Sequence, residues 1–286
     1  MEAADVRIVG VIGAGQMGSG IAEVVARAGI DVVVTEPTDD LLARGRARIE
    51  ASTGRAVERG KLEASSRDDV LARIRMTTDV VDLGDVDVVI EAATEDREQK
   101  LAIFRALDGV VKPDAVLASN TSSIPIATLA AATSHPDQVI GLHFFNPPPV
   151  MTLIEVTPSL LTSDETIGFA RSFAERLGKT TVVARDEAGF IVNRLLIPYL
   201  CAAIGLLESG FATREDIDAS ITLGLHHPMG PLRLADLIGL DTVLQIADVL
   251  YDEFRQPAYA PPPVLRRMVA AGRLGRKSGG GFYAYD

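Results

Sequence analysis

The stretch Arg7–Ala28, RIVGVIGAGQMGSGIAEVVARA, opens with a short β-branched run (Arg7–Val11). It then passes through Gly13-Ala14-Gly15-Gln16-Met17-Gly18 and continues into a helix-compatible segment, Ile21–Ala28. Strand, glycine turn and helix in that order are the opening of a dinucleotide-binding fold. Gly13 permits the tight turn, Gly15 lets backbone approach a pyrophosphate, and Gly18 lets helix and strand pack closely, while the helix start at Gln16 and Met17 offers N–H groups to phosphates. Glycines also punctuate ordinary turns, so the motif is weighed with its context. A second strand, Asp31–Thr35, ends at Glu36, close to the ~20-residue spacing of the acid that binds the adenine-side ribose hydroxyls. The plain alternative is a solvated acid at a strand end. Glu36 is followed by Pro37, Thr38, Asp39 and Asp40, and three carboxylates here oppose a 2′-phosphate; Arg44 is the basic residue a helical turn further on. The expected cofactor is NAD in preference to NADP.

Downstream, Asp39 to about Arg73 is a long polar helical region with a break near Gly60. Between Arg44 and Lys61 the six basic residues Arg44, Arg46, Arg48, Arg55, Arg59 and Lys61 face two acids, Glu50 and Glu58, although the chain as a whole is acidic. This is either a solvated helical hairpin or a landing site for an anionic substrate handle. Strand-like runs resume at Arg75–Thr77, Val86–Ala92, Ala115–Ser119, Val139–Phe145, Leu153–Val156 and Thr180–Ala184. Helical stretches Glu98–Leu107, Ile124–Ala132 and Asp164–Leu177 lie among them. The alternation predicts an α/β, Rossmann-like doubly wound sheet over residues 1–186, its last strands antiparallel across a prolyl turn. From Gly189 the period changes: Ile191, Leu195, Leu196, Tyr199, Leu200, Ala203, Leu206 and Leu207 recur at helical spacing, and Gln245–Phe254 and Pro263–Ala271 are compatible with helix. Residues 187–286 therefore read as an all-α C-terminal domain, whose broad apolar stripes suggest cover by a second subunit.

Within Gly141–Pro158, GLHFFNPPPVMTLIEVTP, one histidine and one glutamate sit on either side of a proline-rich turn, each inside an apolar strand-like run. A polar group buried without a partner costs roughly 2–7 kcal/mol, so His143 and Glu155 are expected to meet. A carboxylate holding an imidazole makes it a better base and stabilises the imidazolium formed when it takes a proton. Ser119-Asn120-Thr121-Ser122-Ser123 follows an apolar strand, at the sheet edge where open α/β folds bind ligands. Such a cluster is equally turn or helix-cap chemistry. Asn193 stands where the helical domain opens, a place an ordinary helix-start residue also takes.

The 286 residues are 47% apolar, enough for two hydrophobic cores. A net charge of −11 argues against nucleic acid or an anionic membrane as partner. The single Cys201 excludes an internal disulfide framework and no zinc-type cysteine spacing occurs, so no metal and a reducing cytoplasm are expected. MEAAD runs straight into a strand with no visible targeting segment. No apolar run approaches the roughly 20 residues that span a bilayer.

Together the stretches VIGAGQMGSGIA, VIEAATED, ASNTSSIPI, GLHFFNPPPVMTLIEV, GFIVNRLLIPYL, HPMGPLRLADLIGLD and GRKSGGGFYAYD resemble the 3-hydroxyacyl-CoA dehydrogenase family over nearly the whole chain, most closely its stand-alone 3-hydroxybutyryl-CoA members. The resemblance implies that His143 is the catalytic base and Glu155 its partner, that Ser122 bonds the reacting oxygen, and that Asn193 closes the site. It further implies that Glu95 and Lys100 contact the nicotinamide ribose, that Asn120 and Asn146 line the nicotinamide end, and that Ala92 and Ser122 belong to the cofactor site. Ser52 with Arg55, Arg59 and Lys61 falls where the family binds coenzyme A; the match is loose there, Arg59 or Lys61 standing in for a lysine, with Gly54 and Gly60 interrupting the helices. An acyl-CoA substrate and a homodimer through the helical domain follow as expectations. Two other readings stand beside this one: an NAD-linked dehydrogenase of a free hydroxy acid or sugar acid, and a non-catalytic nucleotide-binding structural protein.

Overall fold

The computed structural model describes residues 1–285 and divides the chain into two units, Met1–Glu187 and Ala188–Asp286. The first is built on eight strands: β1 (Ile8–Ile12), β2 (Asp31–Thr35), β3 (Ile74–Thr77), β4 (Val88–Glu91), β5 (Val116–Ser119), β6 (Val139–Phe144), β7 (Leu153–Pro158) and β8 (Thr180–Val183). They form one sheet in the order β3-β2-β1-β4-β5-β6-β7-β8. Every neighbouring pair is parallel except β6 and β7, which the prolyl turn joins antiparallel. The order reverses between β1 and β4, and this switch point at the strands' carboxyl ends is where a doubly wound sheet leaves a crevice.

The runs are β-branched and almost wholly apolar because the sheet is covered on both faces. Val9 and Val11, Val32 and Val34, and Val88 and Ile90 enter one core with α1 (Gln16–Arg27) and α6 (Asp164–Arg176). The alternate residues Ile12, Val33 and Val89 enter another with α4 (Arg97–Asp108) and α5 (Ile126–Ala130). Between β2 and β3 stand α2 (Asp39–Glu58), capped by the Thr38 hydroxyl, and α3 (Ala64–Ala72). Gly54 does not interrupt α2, contrary to expectation. The break is at Gly60 alone, where φ is +64° and the N–H groups of Gly60 and Lys61 close on the carbonyls of Val57 and Ala56. Helix α5 is shorter than expected, because Ile124 precedes Pro125 and a residue before proline is kept out of the helical region.

The second unit consists of α7 (Val192–Glu208), α8 (Arg214–Gly224), α9 (Pro231–Ile238), α10 (Leu240–Phe254) and α11 (Pro263–Ala270) around a core that includes Ile197, Leu200, Ile204, Leu232, Val243 and Leu265. Helices α8 and α9 were not legible in the sequence. Asp236 fastens the closing segment by accepting the N–H groups of Phe282 and Tyr283 at 2.9 Å each, and the Tyr285 hydroxyl at 3.0 Å.

Candidate active site

The glycine loop joins β1 to α1 at the switch point. Gly13 has φ +94°, and a Cβ there would lie 2.7 Å from Ala93 Cα; a Cβ at Gly18 would lie 1.9 Å from the Gly13 carbonyl oxygen. A Cβ at Gly15 would meet nothing within 4 Å. The first two glycines therefore hold the turn and the helix against the sheet, and Gly15 leaves bare backbone facing open space. Gly15 is also the N-cap of α1, so the unpaired N–H groups of the first helical turn begin there, with Gln16 and Met17. This arrangement fits a dinucleotide diphosphate. Glu36, at the end of β2, accepts the Ala14 N–H at 2.5 Å and so ties the loop to the neighbouring strand. Gln16 Nε2 donates to Asn146 Oδ1 at 3.1 Å, joining the helix start to the turn between β6 and β7. Ala92 follows β4, its N–H held by the Ile12 carbonyl.

The loop after β5 follows a two-residue alternation. Ser119, Thr121 and Ser123 all turn to carboxylates: Ser119 Oγ donates to Glu91 at 2.7 Å, and the hydroxyls of Thr121 and Ser123 donate to Glu95 Oε2 at 2.6 and 2.7 Å. The intervening Asn120 accepts the Phe144 N–H at 2.9 Å, and Ser122 is half-buried between these anchors. Asn120 Oδ1 is thus occupied in binding β6. Lys100 is held in a buried ion pair. It is 1% exposed, and Nζ bonds both oxygens of buried Glu91 at 2.7 and 2.5 Å. Glu91 also accepts the Ala93 N–H. Lys100 faces inward because it lies four and seven residues before the buried Phe104 and Leu107, on the apolar face of α4. That spacing was a usable signal, as was the acid ending the otherwise apolar β4. Glu91 escaped the sequence reading, which took Thr121 and Ser123 only as members of the 119–123 cluster.

The antiparallel register sets His143 of β6 directly opposite Glu155 of β7. Their side chains meet with Nδ1 2.7 Å from Oε2, His143 8% and Glu155 0% exposed, and the imidazole packs edge-on to the Phe145 ring at 4.7 Å. An ionised carboxylate can only accept, so a neutral imidazole in this pair carries its proton on Nδ1 and its basic lone pair on Nε2. Asn193 belongs to the second unit, as the second residue of α7. Ser52, Arg55 and Arg59 recur at i, i+3 and i+7 along α2 and so share one helical face; both arginines and Lys61, in the α2–α3 link, are exposed. Among the described residues, no three His, Cys, Asp or Glu side chains are grouped so as to hold a metal ion, and no helix is long and apolar enough to cross a membrane.

Comparison with known proteins finds similarity along nearly the whole chain. Residues 8–187 match the family model for the NAD binding domain of 3-hydroxyacyl-CoA dehydrogenase, and residues 189–285 that for its C-terminal domain. A 3-hydroxybutyryl-CoA dehydrogenase of Mycobacterium tuberculosis is 56% identical over 279 residues, covering 97% of this chain and 98% of the relative. Among solved structures, M. tuberculosis FadB2 superposes with a TM-score of 0.97 at 55% identity, covering 98% of this chain and 99% of the other. (S)-3-Hydroxybutyryl-CoA dehydrogenase PaaH1 from Ralstonia eutropha gives 0.93 at 45%, covering 99% and 100%.

Proposed function

The chain belongs to the 3-hydroxyacyl-CoA dehydrogenase family, and we propose that it oxidises (S)-3-hydroxyacyl-CoA, 3-hydroxybutyryl-CoA above all, to the 3-ketoacyl-CoA with NAD, reversibly. The observation that carries the proposal is the buried His143–Glu155 pair at 2.7 Å, on the strand next to the Ser122 loop. When bound, NAD supplies the acceptor for the hydride that leaves C3. His143 Nε2 takes the proton of the 3-hydroxyl, and Glu155 holds the ring in that tautomer and stabilises the imidazolium. In the reverse direction His143 returns the proton as an acid. Ser122 would donate to the oxygen that becomes a carbonyl, a contact worth about 2.7–4 kcal/mol if it behaves as an oxyanion donor, and the family resemblance gives Asn193 of the second unit a like role.

The Gly13–Gly18 loop would hold the diphosphate and Glu36, whose Oε1 fixes the loop, would hold the adenine-side ribose. A 2′-phosphate there would face Glu36 with Asp39 and Asp40 of the first turn of α2, which supports NAD over NADP. Glu95, with Asn146 and Gln16, would meet the nicotinamide half. Ser52, Arg55, Arg59 and Lys61 would receive the coenzyme A phosphates, a basic surface that a dehydrogenase of free acids does not need. Exposed Leu195, Phe211, Leu223 and Leu225 of the second unit support a homodimer formed through it, and the single, buried, unpaired Cys201 suits the cytoplasm. The test is NADH consumption with acetoacetyl-CoA beside a longer 3-ketoacyl-CoA, free acetoacetate, and NADPH in place of NADH. Turnover of thioesters with NADH alone is expected, and the chain-length ratio reports how strictly the four-carbon substrate is preferred.

A further inference from the structure

The turn between β6 and β7 is held from beneath by a lysine to which neither sequence nor family resemblance gives a role. Lys179, just before β8, is 9% exposed, and its Nζ donates to the carbonyl oxygens of Pro148 and Met151 at 2.7 Å each. Both carbonyls belong to the segment that carries Asn146, whose side chain accepts from Gln16 at the start of α1. The segment also rests on α1 directly, since a Cβ at Gly20 would lie 2.7 Å from Pro148 Cδ. Beneath it, α1 contributes Glu23, fully buried, with Arg27 Nη2 2.5 Å from its Oε1, and the Arg27 charge acts on Lys179. A buried ammonium needs such acceptors, and peptide carbonyls in a turn otherwise bond only to water, so each side satisfies the other.

We infer that Lys179 is a positioning residue for the nicotinamide half of the cofactor site: it clamps the 146–151 turn against α1 and thereby fixes Asn146 and Gln16 in register. The inference rests on the reading of Asn146 proposed above. Its action runs through the cofactor, so the direct readout is the dissociation constant of NADH, followed by nicotinamide fluorescence without acyl substrate. Lys179→Met should weaken NADH about tenfold, the scale of a lost charge-assisted contact. The KM for acetoacetyl-CoA at saturating NADH should change little, and Lys179→Arg should restore part of the affinity. In an Asn146→Ala background the Lys179→Met change should shrink to less than threefold, because both act on one contact. Gly20→Ala provides a second route that leaves the lysine in place and favours helix: its methyl must displace Pro148, and NADH should again weaken severalfold. NADH affinity within twofold of the parent in both Lys179→Met and Gly20→Ala overturns the clamp, as does full additivity with Asn146→Ala. Failure of the parent itself to bind NADH would instead overturn the function proposed above. If Lys179→Met yields no soluble protein, Gly20→Ala and Lys179→Arg decide by the same affinity criterion.

Discussion

At the scale of single residues, the account turns on an imidazole whose tautomer is set by a buried carboxylate. His143→Ala should lower kcat by about 10²–10⁴-fold, the usual contribution of a positioned acid–base group, and should also lower the melting temperature because it strands the buried Glu155 carboxylate. Near-normal turnover in that variant would remove His143 from the chemistry. Glu155→Gln is nearly isosteric, but an amide can donate to Nδ1, which moves the ring proton to Nε2 and withdraws the base. Its kcat should fall on the order of 10²-fold or more with KM little changed; a kcat within twofold of the parent would make Glu155 purely structural. For Lys100 the readout is stability. Removing one partner of a buried pair strands the other charge, so Lys100→Met should cost about 3–5 kcal/mol in chemical denaturation. A stable Lys100→Met protein with only a raised KM for NAD would favour the nicotinamide-ribose contact that the family resemblance implies for it.

At the scale of elements, the sheet was legible and its details were not. Runs such as Ile8–Ile12 and Val88–Glu91 are β-branched and buried on both faces, which leaves little else for them to be. Helix α8 carries only two buried residues, Ile217 and Asp218, and α9 is only eight residues long between Gly230 and Gly239, too short for its apolar positions to establish a period. The site was read in the same uneven way. His143 and Glu155 stood out because each interrupts an apolar strand, whereas Thr121, Ser123 and Lys179 are ordinary polar residues until the topology brings carboxylates or carbonyls to them. Asp87, just before β4, shows how such a contact becomes pH dependence. It accepts the N–H groups of Arg7 and Ile8 at 2.7 and 3.0 Å and bonds Lys112. Burial alone would raise its carboxyl, but Lys112 and the two N–H donors outweigh this and hold it below the usual carboxylate range. A depressed folded-state value gives stability that is present above the unfolded-state value and is lost as pH falls through the folded one. Asp87→Asn should therefore destabilise by about 1.5–3 kcal/mol at pH 7, and the gap to the parent should close in acid. A gap independent of pH would place the loss elsewhere.

At the scale of the whole molecule, a nucleotide-binding sheet and a helical second unit are joined in one acidic chain that keeps a local basic surface on α2. Coulombic attraction of that surface for coenzyme A phosphates predicts that neutralising Arg55, Arg59 and Lys61 together raises the KM for acetoacetyl-CoA about tenfold or more, less so at high salt, with the KM for NADH unchanged. An unaltered KM would leave the hairpin as solvated structure and return weight to a free-acid substrate. The most direct test of the central claim is NADH oxidation by the parent and by His143→Ala, each offered acetoacetyl-CoA and free acetoacetate. The account predicts turnover of the thioester by the parent, almost none of the free acid, and loss by orders of magnitude in the variant. Equal turnover of the free acid, or a variant as active as the parent, would contradict it.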